Sequence, residues 1–169
     1  MKNIFIILLM IITFQSCNKE KEVSSINPIN WSKRTINLTQ NDSLVTGTTY
    51  LSVYSQIYSQ TEHKTHDLTV TVSMRNINRN DTIFIDKAEY FDTKGQSIRT
   101  YFDKTIFIAP MEAVEIVIDE TDREGGTGAN FLFDWKIKQT SQEPLFEGIM
   151  ISTSGQQGLS FTTHGKRIH

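Results

Sequence analysis

The sequence predicts an all-β protein: a single immunoglobulin-like antiparallel β-sandwich of about 7–9 strands, with a small β-barrel as the other way such a chain can close. Three observations lead there. After residue 47, apolar side chains recur at every second position, as half-buried strands require. Short clusters of Gly, Pro, Asn and Asp punctuate the alternating runs. No stretch beyond that point keeps an apolar stripe at helical spacing for three turns.

The first element is a leader, residues 1–16. Lys2 supplies a positive start, and Ile4 to Phe14 form an apolar run of eleven residues broken only by Thr13. A permanent membrane span needs about 20 such residues, whereas a cleaved secretory signal needs fewer. The run ends in Phe14-Gln15-Ser16-Cys17, which resembles a lipobox, although Phe14 stands where leucine is usual. The resemblance implies that Cys17 receives lipid before the leader is removed. Cys17 is also the only cysteine in the chain. It has no internal partner for a disulfide, and acylation gives a lone exported thiol a reason to exist.

Residues 17–45 read as a lipid-anchored tether. Asn18-Lys19-Glu20-Lys21-Glu22 is charged but nearly balanced, and the stretch to Ser43 is rich in Asn, Ser and Thr. Such a composition buries too little surface to offset its ordering entropy. Trp31 and Leu38 are the residues in it able to pack locally.

Residues 46–169 form the sandwich domain, and about 120 residues suffice for one core. Leu68, Val70, Val72 and Met74 point to one face and Thr69, Thr71, Ser73 and Arg75 to the other. Val114, Ile116 and Ile118 repeat the pattern, as do Phe131, Phe133, Trp135 and Ile137. From Ile83 to Phe91 the phase holds only with a bulge near Asp86 and Lys87. Tyr50, Tyr54 and Tyr58 recur every fourth residue, but Leu51, Val53 and Ile57 favour a strand there. Turns are expected at Asn78–Asp81, Asp92–Gly95, Ala109-Pro110, Gly125–Gly128, Gln142–Pro144 and Gly155–Gly158.

Four ordered blocks also carry a family resemblance: Thr49–Tyr58, Asp67–Asn76, Gly125–Phe131 and Gly155–Phe161. Over residues 45 to 168 the chain resembles the bacterial family known as domain of unknown function 3124. The resemblance implies an exported or lipid-anchored protein and carries over no catalytic residue.

Charge and motifs exclude several functions. The formal charge is −2, and removal of the leader takes only Lys2 with it, so no basic face for nucleic acid is expected. Ser160 and His164 share a predicted strand and stand about 13 Å apart, too far for a nucleophile and its base. There is neither a Gly-x-Ser-x-Gly elbow nor a His-Glu-x-x-His helix. His63 and His66 lie in a polar turn before a strand and make a poor metal pair. Asp119, Glu120 and Asp122 are weak candidates for a hard cation, but Arg123 interrupts them and a solvated turn is expected. No cofactor is called for.

The glycine-rich stretches are the candidate binding loops: Gly125, Gly126, Gly128 and Asn130 in one, and Gly155, Gln156, Gln157 and Gly158 in the other. Gly125-Gly126-Thr127-Gly128 opens no helix and so offers no phosphate cradle. Both loops are expected at one end of the sandwich. The sequence thus points to a non-catalytic lipoprotein of the cell envelope, held by lipid on Cys17, with the outer membrane as the expected site. Its domain reads as a protein-binding or assembly module. The alternative is a module for carbohydrate or another small polar ligand, with Tyr50, Tyr54, Tyr58 or Trp135 as a stacking platform.

Overall fold

The alternation along the chain becomes two facing antiparallel sheets in the computed structural model, which describes residues 29–38, 43–153 and 158–169. The strands are β1 (Leu44–Val53), β2 (Gln56–Ser59), β3 (Thr61–Asp67), β4 (Thr69–Arg75), β5 (Ile83–Phe91), β6 (Ser97–Phe102), β7 (Ile106–Ile108), β8 (Ala113–Ile118), β9 (Ala129–Lys138), β10 (Leu145–Ser152), β11 (Leu159–His164) and β12 (Lys166–Arg167). One sheet runs β12-β1-β9-β5-β6, with β7 also on β5, and the other runs β11-β10-β4-β8. β2 and β3 form a separate ribbon. The sheets pack as a sandwich and do not close into a barrel.

Every predicted inward face is inward. Leu68, Val70, Val72 and Met74 are fully buried, and so are Ile116, Ile118, Phe131 and Phe133. Aromatic rings run through the core as a stack. Tyr90 lies 4.7 Å from Phe131, Phe131 lies 5.4 Å from Phe133, and Phe133 meets Phe146 of the opposite sheet at 4.4 Å. Each contact adds about 0.5–1.5 kcal/mol beyond area burial. The register of β5 on β9 shifts between Ile85 and Lys87, which is the bulge that the phase of the sequence demanded.

Among the described residues twelve strands form, against the seven to nine expected. The surplus consists of short or polar pieces. Thr61–Asp67 has no apolar alternation and reads as a turn, yet it pairs with β2 through Ile57–His66 and Tyr58–Thr65. Lys166–Arg167 is too short to register as a strand until it meets Thr49 and Tyr50 of β1.

The open sides of the sandwich are covered differently. On one side the chain passes from β11 through Gly165 into β12, switching sheets. On the other, Ile29–Leu38 lies against the domain, which departs from the expectation of a spacer reaching to residue 45. Trp31 opens a 3-10 turn (Trp31–Arg34), and its ring lies 4.7 Å from that of Phe102. Arg34 bonds Glu112 at 2.6 Å, and the Ile36 amide donates to the Thr105 carbonyl at 2.9 Å. The sequence marks Trp31 as able to pack here, whereas the Arg34–Glu112 pair, 78 positions apart, leaves no local trace.

Candidate functional site at the glycine-turn end

Register brings the loop between β8 and β9, the turn between β5 and β6, and the β2–β3 ribbon to one end of the sandwich. Val53 pairs with Ala129, Phe91 with Asn130, and Val70 with Ile118. Ser152 and Leu159, which flank the second glycine-rich stretch, pair with each other at the same end, beyond Ile151–Thr69. The described residues that flank the two candidate loops therefore lie at one end of the sandwich. Gly155, Gln156 and Gln157 lie outside the described residues, and so does Cys17. Asn130 is placed in β9, opposite Ser52 and Phe91, and so belongs to a strand rather than a loop.

The first glycine turn is a lid over the aromatic stack. A Cβ on Gly125 would stand 1.8 Å from the Tyr90 hydroxyl oxygen, so only glycine fits while Tyr90 keeps its place. Gly126 has φ +68°, a conformation that glycine adopts without a steric penalty. Neighbouring elements hold the turn by its carbonyls. The Thr93 hydroxyl donates to Gly125 O at 3.1 Å, while the Ser55 hydroxyl and the Gln56 amide donate to Gly126 O at 3.2 and 3.1 Å. The Tyr90 hydroxyl beneath is buried without a partner of hydrogen-bond geometry. Burial pushes this phenol well above its ordinary range; the neighbouring Ser55 hydroxyl offsets part of that, while Asp122 and Tyr101 add to it.

The acidic turn is tied inward. Arg99 donates to Asp122 at 3.0 Å, to Glu124 at 2.9 Å and to the Tyr101 hydroxyl at 3.1 Å. Burial opposes the charge on Arg99, but Tyr101 and Asp122 outweigh it and raise the pKa. Asp119 accepts from the amide and hydroxyl of Thr121, at 2.9 and 2.7 Å, and Glu120 is exposed. Among the described residues, no group of three or more His, Cys, Asp or Glu is arranged to hold a metal ion.

The ribbon stands outside this lid and is clamped to it. Arg123 Nε donates to Asp67 at 3.0 Å, and Gln56 Nε2 donates to the other oxygen of the same carboxylate at 2.8 Å. Partial burial raises the Asp67 pKa, but these two hydrogen bonds prevail and hold it below the usual carboxylate range. Five of the seven residues of β3 are exposed, and Tyr58 on β2 is 61 % exposed. Ile151 and Leu159 of the neighbouring hairpin are exposed as well. Sequence reasoning missed Arg99 and Asp67, because nothing local announces a partner 23 or 56 positions away.

The aromatic platform does not assemble. Trp135 is in the core, bonded to Thr49 at 2.9 Å. Tyr54 packs on Phe161 at 5.8 Å. Tyr50 lies on β1 and Tyr58 on the ribbon, so the tyrosines share no strip.

With this arrangement in view, a comparison with protein families gives a match over residues 46–168 to one described as "Protein of unknown function (DUF3124)". The chain belongs to this family. The match spans the sandwich from β1 through β12, so the lid, the acidic turn and the ribbon are all parts of the DUF3124 domain. No curated protein matches the chain. The crystal structure of Thermotoga maritima 1070 is similar at 8 % identity and a TM-score of 0.45, covering 75 % of this chain and 96 % of that one. A likeness that distant says nothing about what this DUF3124 domain does.

Proposed function

We propose that the protein is a lipid-anchored component of the cell envelope whose DUF3124 domain works without catalysis, as a protein-docking module. The anchor reading is supported by the short apolar leader ending at Ser16-Cys17 and by the absence of any second cysteine. Two or more acyl chains on one residue give stable attachment where one is marginal.

The observation that carries the docking reading is the ribbon. It projects an exposed aromatic, Tyr58, from a frame fixed by Arg123, Gln56 and Gly126. A rigid aromatic loses little conformational freedom on binding, so Tyr is favoured at binding hot spots. Tyr58, Ile151 and Leu159 place exposed apolar area at this end of the sandwich. A carbohydrate would call for stacked, coplanar rings, and the dispersal of the tyrosines favours protein contact instead.

A photoreactive residue replacing Tyr58 in living cells tests this. A discrete crosslinked species is expected from Tyr58 and not from Thr162 on the outer sheet face. Equal, diffuse labelling from both positions would overturn the docking reading.

A further inference from the structure

At the opposite end of the sandwich, apolar side chains stand uncovered, Ile77 and Met111 more than Leu145. Ile77 is 47 % exposed and Met111 is 67 % exposed. The Met111 amide donates to Asn78 O at 3.1 Å and the Asn76 amide to Glu112 O at 2.9 Å, so the two segments form one surface. Met111 has φ +60°, a left-handed conformation disfavoured for residues with a Cβ and ordinary for glycine. The turn thus holds a large apolar side chain out to solvent at a position that glycine would fill with less strain. The frame beneath it is rigid. The Asn76 carboxamide donates to the carbonyls of Asp81, Ile108 and Ala109 at 2.7, 3.0 and 3.1 Å, and accepts from the amide of Asn78 at 2.9 Å.

The chain enters the domain beside this surface. Ile29, Lys33 and Arg34 line a groove with Phe107, Ala109 and Glu112, next to the Met111 turn. Cys17 lies twelve residues before Ile29. A chain of that length typically spans about 20 Å and at most about 40 Å. The longest strands have ten residues, or about 33 Å, and separate this end from the ribbon. Lipid on Cys17 therefore brings the Ile77–Met111 end to the membrane first. Lys33 and Arg79 are exposed nearby and suit phospholipid phosphates.

We infer that Ile77 and Met111 dip into the interfacial layer of the bilayer, so that the domain stands on this end and presents its ribbon away from the membrane. The inference rests on acylation of Cys17 and deepens that reading by fixing an orientation.

Full-length lipidated protein in phosphatidylethanolamine–phosphatidylglycerol vesicles containing nitroxide lipid provides the test. An environment-sensitive fluorophore is placed on Met111→Cys, on Ile77→Cys in a second chain, and on Lys94→Cys at the ribbon end in a third. Blue-shifted emission quenched by nitroxide is expected at positions 111 and 77, and unquenched, water-like emission at 94. Water-like emission at 111 and 77 would overturn the orientation. Blue-shifted emission that nitroxide leaves unquenched would also overturn it, by showing that protein, such as a second copy, covers the patch. Acylation is scored separately by labelled palmitate that Cys17→Ser fails to incorporate. If wild-type protein takes up no palmitate, the anchor reading falls and the orientation falls with it.

Discussion

Two single positions show how side-chain space and backbone strain decide what this fold accepts. Gly125 is fixed by the Tyr90 hydroxyl, because a Cβ would overlap it at 1.8 Å. Gly125→Ala should therefore destabilise the domain by about 1–3 kcal/mol, the usual cost of overpacking, read as a lower urea midpoint. Tyr90→Phe removes the obstructing oxygen and a buried hydroxyl that makes no hydrogen bond of good geometry, with Ser55 as a polar neighbour, so alone it should change stability by little. Combined with Gly125→Ala it should restore most of the loss; purely additive effects would refute the explanation. At Met111, relief of the left-handed conformation is worth about 1–2 kcal/mol, and the added chain freedom of glycine takes back about 0.5–1 kcal/mol. Met111→Gly should then raise stability by up to roughly 1 kcal/mol, while removing the side chain proposed to meet lipid. An unchanged or lower midpoint would count against strain at this turn.

Among the elements, burial separates ion pairs that hold the structure from those that decorate it. Arg99 and Asp122 have side chains only 16 % and 3 % exposed, and truncating one member of such a pair costs about 3 kcal/mol or more. Arg99→Ala should approach that loss, whereas Arg123→Ala, whose side chain is 66 % exposed, should cost under about 1 kcal/mol. Comparable losses in urea denaturation would contradict the distinction. The pair between Arg34 and Glu112 fastens the Trp31 segment. The hydrogen bond from Arg34 is the main influence on Glu112, and it holds the carboxyl below its ordinary value of 4.5. A depressed carboxyl stabilises the folded state above its unfolded pKa, and that contribution fades as pH falls through the lower folded value. Trp31 emission should therefore shift to the red on acidification below about pH 4.5. Glu112→Gln should show the shift already at neutral pH, while Trp135 stays buried. No response in either case would mean that the segment is held by packing alone.

For the molecule as a whole, strands with a buried face could be read from the sequence and those without one could not. The period-two runs ending at Met74, Ile118 and Ile137 declared themselves, and so did the bulge at Asp86, because a one-residue slip would have turned apolar side chains outward. The ribbon strand Thr61–Asp67 has five exposed residues out of seven and so leaves no hydrophobic trace. Of the candidate site, the glycine turn was visible as composition, but its reason lies in Tyr90, 35 positions earlier in the chain. The Arg99 cluster likewise exists only after folding, since its members come from β6 and the loop after β8. These elements give the molecule two unlike ends, a frame with exposed Ile77 and Met111 beside the chain entry and a clamped ribbon opposite. Which end meets the membrane depends on whether lipid is attached at Cys17. The most direct measurement is the intact mass of the protein extracted from membranes. A chain beginning at Cys17 and carrying the added mass of a diacylglyceryl group is the predicted result. A chain that retains Met1, or one with an unmodified thiol at Cys17, would contradict the account.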